Sequence, residues 1–231
     1  MDLIVEGLKQ GIYLIFTLDP EVLRVTVLSL LISGSAVFIS LFLGMPFGAF
    51  LGLVNFPGRR FLISLINTGM GLPPVVVGLF VTMFLWRSGP LGIFNLLYTP
   101  TAMIIAQVII ATPIVAGLSL AAIQQLNPKL KLQTLALGAT KRQMFWILMK
   151  EARLPLLAAI MAGFGGVISE IGAVMMVGGN IKGQTRVLTT AIVLESRMGA
   201  FDVALALGFI LLTLTFLVNL GLTYIQQRSR R

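Results

Sequence analysis

The 231-residue chain contains no cysteine and no histidine, and charged side chains make up only 11% of it. The first absence removes disulfides, thiolate metal sites and Cys nucleophiles; the second removes imidazole general bases. Only eight Asp and Glu are present, and they are scattered, so no oxygen-ligand metal cluster is expected. A typical soluble domain is roughly a quarter charged. Here 57% of residues are hydrophobic, and the few charges cluster between long apolar runs. That is the pattern of a chain whose solvent is lipid. In so apolar a chain the net charge of +9 reads as charge that sets membrane topology, not as a nucleic-acid surface.

The apolar runs predict an all-α, polytopic membrane protein of about five transmembrane helices in one domain, 1–231. Residues 1–20 mix acids with an apolar stripe and are too short and too charged to span, so an interfacial helix is expected. Asp19-Pro20-Glu21 is a helix start, with Asp19 as N-cap and Pro20 at the first helical position. Spans are predicted over 22–54, 61–86, 100–126, 154–177 and 200–225. A Gly-rich, charged loop is expected over 178–199. The stretch 127–153 is the one long polar segment, and it is strongly basic.

The positive-inside rule orients the spans. Eleven of the 17 Lys and Arg fall on one face, among them Arg59, Arg60, Lys131, Arg142 and Arg153, and six fall on the other. The richer face is expected to be cytoplasmic, which puts the N-terminus outside and the C-terminus inside.

Several features carry mechanism. Ser40, Gly44, Gly48 and Gly52 are spaced by four and predict a face for close helix packing. Leu72-Pro73-Pro74 interrupts the second span, removing two backbone donors and freeing the carbonyls of Gly69 and Met70. Interrupted helices of this kind line pathways in transporters. Pro113 predicts a second kink. Glu170 is the one ionisable residue deep in a predicted span. Its spacing with Ala158, Ala162 and Gly166 puts it on a face of small residues turned toward protein. Two readings stay open for it: a pathway residue, or a carboxyl group satisfied by an internal hydrogen bond. The run Gly179, Asn180, Lys182, Thr185 and Arg186 reads either as a flexible turn or as an anion-attracting concavity. In the basic segment, Leu132-Gln133-Thr134-Leu135-Ala136-Leu137-Gly138-Ala139-Thr140-Lys141-Arg142 predicts a short helix, a Gly138 cap and a second helix opened by Thr140.

That segment resembles the cytoplasmic EAA loop of ABC importer permeases. Gly138-Ala139 and Leu154-Pro155 match the family pattern; Leu132, Gln133 and Thr134 stand where it has Glu-Ala-Ala, and Lys150-Glu151 replaces a Leu-Pro. Leu72 to Gly78 resembles an element of molybdate, tungstate and sulfate permeases. Ser169-Glu170-Ile171-Gly172-Ala173-Val174 and the run through Ile192 are similar to the tungstate branch. The resemblance implies the type I permease fold and a homodimer with its pathway between the copies. It also implies cytoplasmic ATPase subunits docked on the loop up to Gly138, and an outer oxyanion-binding protein. Pro73, Pro74, Pro113, Glu170 and the 179–186 run become gate candidates. The chain has no Gly-rich loop ending in Lys-Ser/Thr, so ATP and Mg are expected on the partner ATPase, with no cofactor on this chain. The rivals are a molybdate or sulfate permease, a secondary transporter with Glu170 as its ion site, and a membrane enzyme, for which no catalytic constellation is found.

Overall fold

The computed structural model describes residues 19–228 without interruption, together with residues 5, 7, 9 and 13. Most of the expected interfacial segment, 1–20, and the end of the tail, 229–231, lie outside the described residues. Among the described residues every regular element is a helix.

Helix α1 spans Pro20–Leu53 and starts as its sequence dictates. The Asp19 carboxylate accepts from the Glu21 and Val22 N–H groups at 2.9 and 3.0 Å. Its 34 residues extend about 50 Å, beyond a hydrocarbon core of about 30 Å. Helix α4, Pro100–Gln124, begins at Thr99, whose side chain accepts from the Ala102 N–H. These two helices pack through the small-residue stripe. A Cβ on Gly44 would lie 2.7 Å from the Thr112 carbonyl oxygen, and one on Gly48 would collide with Ala116. Ser40 Oγ donates to Val108 O, and Gly52 faces Leu120 and Ile123. The partners 40–108, 44–112 and 48–116 keep a constant offset of 68 residues. Two helices in constant offset run parallel, so α1 and α4 start at the same membrane face.

The chain between them must therefore return across the bilayer. It does so as α2, Arg59–Met70, and α3, Pro74–Leu85, bent by 100°. The single second span expected over 61–86 is thus two helices. Pro73 and Pro74 form the start of α3, where a missing N–H costs nothing because the first turn has no intrahelical acceptor. The freed Gly69 carbonyl is re-satisfied by the Leu72 N–H at 3.3 Å.

Beyond α4 lie α5, Pro128–Ala136, and α6, Lys141–Glu151. Helix α7, Arg153–Ile168, leaves α6 at a 69° bend. It packs antiparallel to α4: Gln107 meets Val167, Val115 meets Gly163, and Ala122 clusters with Leu156. The span expected over 154–177 does not continue unbroken. It stops at Ser169 and resumes as α8, Gly172–Gly178. The expected loop 178–199 contains a further helix, α9, Leu188–Arg197. Helix α10, Phe201–Arg228, then runs antiparallel to α7, with Gln226 Nε2 donating to Leu154 O at 3.1 Å.

Five spans are reached when each bent pair, α2–α3 and α6–α7, counts as one. Helices α1, α4 and α10 are each long and apolar enough to cross alone. The largest core cluster joins Ile32 of α1, Val77 and Val81 of α3, Met103 of α4 and Val174 and Val177 of α8. Large apolar side chains also face outward: Phe42, Phe61, Leu212 and Phe216 are exposed, as a lipid-facing surface requires.

Candidate functional site

The two helix breaks lie against each other. Helices α3 and α8 run side by side, with Gly78 so close to Ala173 that a Cβ would lie 2.7 Å from its Cα. At their starts, a Cβ on Gly172 would lie 2.7 Å from Val75 Cγ2 and 3.4 Å from a Glu170 carboxylate oxygen. Glu170, 9% exposed, occupies this junction. Its Oε1 accepts from the Ala173 N–H at 2.9 Å, which caps α8, and its carbonyl accepts from the Thr189 hydroxyl at 3.0 Å. The internally hydrogen-bonded reading of Glu170 is therefore the one the geometry favours. Glu170 does not continue the α7 face of Ala158 and Ala162, both exposed in the single chain; within the chain α7 buries Leu156, Ala159, Gly163 and Val167. The reason is the break at Ser169, which takes Glu170 off the periodicity of α7.

Pro113 stands inside α4, opposite the last turn of α2, where a Cβ on Gly69 would lie 2.8 Å from the proline ring. One further polar side chain went unread in the sequence. Gln107 is buried in α4, its Nε2 donates to Val167 O at 3.0 Å, and its Oε1 has no partner. A lone amide within an apolar span was the available signal.

The 178–187 segment is an ordered turn. Gly179 ends α8 with φ 70° and sits 2.8 Å, at its would-be Cβ, from the Tyr98 ring; any other residue would be strained and crowded there. Asn180 also has positive φ, 52°, and its Nδ2 donates to Thr190 O. Thr185 is fully buried: its hydroxyl donates to Gly178 O at 2.5 Å and accepts from the Ile181 N–H at 3.0 Å. These residues shape the loop. Lys182 and Arg186 project from it to the start of α1, where Glu21 pairs with Lys182 at 2.6 Å and with Arg186 at 3.5 Å. Arg24, one turn along α1, lies beside Gly183.

At the opposite face lies the expected coupling segment. Asn127 caps α5, and Thr140 and Gln143 form a reciprocal capping box at the start of α6. Between them Gly138 has φ 82°, the left-handed value that closes α5. Thr134 is buried, whereas Leu132, Leu135, Leu137 and Trp146 are exposed, Leu137 at 88%. Leu137, Gly138, Ala139, Arg142, Gln143 and Trp146 line an open groove of about 720 Å³. The element is tied to the membrane helices. Lys131 Nζ donates to Leu53 O at 2.9 Å and Arg59 Nε to Leu51 O at 2.7 Å, placing two cations on the carbonyl end of α1. Gln133, Ala136, Lys141 and Arg142 are exposed and solvent-facing.

No group of three His, Cys, Asp or Glu side chains that could hold a metal occurs among the described residues. The arrangement is a junction of two helix breaks around Glu170 within the bundle, a cationic cleft at one face and an apolar, basic-edged groove at the other.

Fold and site together define a multi-pass helical membrane protein with the type I fold of ABC importer permeases. A chain of the MetNI methionine ABC transporter in an inward facing conformation superposes with a TM-score of 0.76 at 18% identity, covering 94% of this chain and 98% of that one. The model of the family "Binding-protein-dependent transport system inner membrane component" matches residues 44–231, and the chain belongs to that family. It is 38% identical to the tungstate uptake system permease protein TupB of Peptoclostridium acidaminophilum, over 98% of this chain and 100% of that protein. It is 35% identical to the protein of the same name from Campylobacter jejuni, over 95% and 92%.

Proposed function

We propose that this chain is the membrane subunit through which an ATP-driven importer moves tungstate into the cell. The observation that carries the reading is the end-to-end likeness to a tungstate uptake permease. In this reading a homodimer forms the pathway, and the exposed small residues Ala158 and Ala162 of α7 let a second copy approach closely. The start of α1 faces outward, where an oxyanion-binding protein delivers cargo, and the C-terminus is cytoplasmic. Separate ATPase subunits, holding ATP and Mg, seat on the groove beside Leu137 and Trp146. Lys131 then passes their closure to α1, and the α2–α3 and α7–α8 junction around Glu170, with Pro113 behind it, changes access.

Uptake into vesicles carrying this chain, its ATPase and its binding protein tests the reading, with tungstate, molybdate and sulfate in competition. ATP-dependent uptake that favours tungstate is expected. Preference for molybdate or sulfate would reassign the ion, and uptake without ATP would reject the importer. Leu137→Glu changes an exposed side chain and should abolish uptake while leaving the purified chain folded.

A further inference from the structure

Among the described residues, Asp19 and Glu195 line a hollow beside Lys182 and Arg186, and next to it lies the cationic cleft at the outer end of α1. It has a volume of about 200 Å³ and is lined by Glu21, Arg24, Lys182, Gly183, Gln184 and Arg186. Three cations face one carboxylate. One oxygen of the nearby Asp19 carboxylate, Oδ1, accepts from the N-terminal N–H groups of α1. Arg24 has no ion-pair partner among the described residues, and the Nε of Arg186 is buried without a hydrogen-bond partner. The Arg186 side chain is only 16% exposed. Gly183 matters to the shape: φ 75° turns the loop, and the Arg24 guanidinium lies within van der Waals reach of it.

Glu21 spans Lys182 and Arg186 with its two oxygens. That is the arrangement a multidentate oxyanion would adopt toward the same cations, with Arg24 as an additional donor. We propose that Arg24, Lys182 and Arg186 form an outer binding site for a tetrahedral dianion, with Glu21 as the internal anion that the cargo displaces. The inference rests on the tungstate-import reading and deepens it. The exchange breaks the two contacts of Glu21 and makes contacts from three cations to one dianion. Release toward the pathway is assisted when Glu21 returns. A carboxylate that competes at the site keeps binding weak enough for passage, as conduction sites require.

The test is protection of Lys182 from an amine-acylating reagent, read by mass spectrometry. It uses the permease–ATPase complex in nanodiscs of zwitterionic lipid. Sodium tungstate is titrated at ionic strength held constant with chloride. Protection by tungstate beyond that of chloride is expected. Arg24→Gln, at an exposed and unpaired position, should raise the half-protection concentration about fivefold, the equivalent of about 1 kcal/mol. Glu21→Gln should lower it about threefold. Equal protection by tungstate and chloride, or no response to Arg24→Gln, overturns the site. Protection that appears only when anionic phosphatidylglycerol is added, without any from tungstate, also overturns it and assigns the cleft to a lipid phosphate. ATP-driven tungstate uptake with no protection rejects this site alone. Uptake and protection both specific for another tetrahedral oxyanion uphold the site and reject only the tungstate assignment.

Discussion

The α2–α3 break and the α7–α8 break meet at Val75 and Gly172, yet different forces hold them. The first is written in covalent structure. Prolines 73 and 74 cannot continue α2, and Gly71 and Leu72 close the turn with backbone hydrogen bonds alone. Leu72 and Pro73 are exposed there. The second has no proline. Glu170 is buried at its centre, and side chains stabilise it: the Glu170 carboxylate, three residues away, on Ala173 N–H, and the Thr189 hydroxyl, nineteen residues away, on the Glu170 carbonyl. A break imposed by the backbone persists when its neighbours move. A break imposed by side chains can be remade when they do, so the α7–α8 junction is the more switchable of the two.

The contact between the breaks is the most demanding feature. Gly78→Leu places a side chain where a single Cβ already lies 2.7 Å from Ala173 Cα, backbone that cannot swing aside. A loss of about 3 kcal/mol or more is expected, seen as a lowered thermal transition of the detergent-purified chain. A variant within about 1 kcal/mol of the parent would show that α3 and α8 do not touch so closely. Thr185→Val comes next. It keeps the shape but strands the buried Gly178 carbonyl and the part-buried Ile181 N–H, and should cost about 2 kcal/mol by the same measurement. An unchanged transition would mean that the loop is ordered by something else.

The carboxylate cap is weaker. Glu170→Ala should cost about 1 kcal/mol, the usual value of a helix N-terminal cap. Glu170→Gln retains an acceptor oxygen for the Ala173 N–H and should stay within a few tenths of the parent, with uptake preserved. Loss of uptake in a normally assembled Glu170→Gln complex would return Glu170 to the pathway as a charged residue.

These differences explain what the sequence disclosed. The proline pair was legible because proline acts locally, and the Ser40 to Gly52 stripe because four-residue spacing is a geometric statement about one helix face. The Asp19, Thr140 and Gly138 caps were legible for the same reason. The end of α7 at Ser169 was not. Nothing in Ser169-Glu170-Ile171 forbids helix, and the partners that stop it, Thr189 and α3, are set by tertiary structure. The same holds for the Glu21 pairing with Lys182 and Arg186, which joins residues more than 160 positions apart. The loop's positive charge was visible, but its internal counter-ion was not.

A last variant tests the comparison from the proline side. Replacing Pro73 and Pro74 with alanine removes the covalent reason for the first break. Helix propensity then favours a continuous α2–α3 rod by up to about 3 kcal/mol per proline in a helix interior. Packing opposes this: straightening would pull Val77, Gly78 and Val81 off α8 and out of the core cluster they share with Met103 and Val174. Burial of Val77, Val81 and Leu85 is worth about 1.5–3 kcal/mol each, and the prolines stand at the start of α3, where their full helix-interior cost does not apply, so packing wins and the bend is retained. Stability should change by only about 0.5 kcal/mol, mostly through the unfolded chain. Because the chain has no cysteine, Ser64→Cys and Met83→Cys can carry spin labels without competing sites. A rod would separate those backbone positions by about 28 Å, and the 100° bend brings them to about 19 Å. The shorter distance in the alanine variant would show that α8 holds α3 in place. The longer one would show that the prolines alone make the bend.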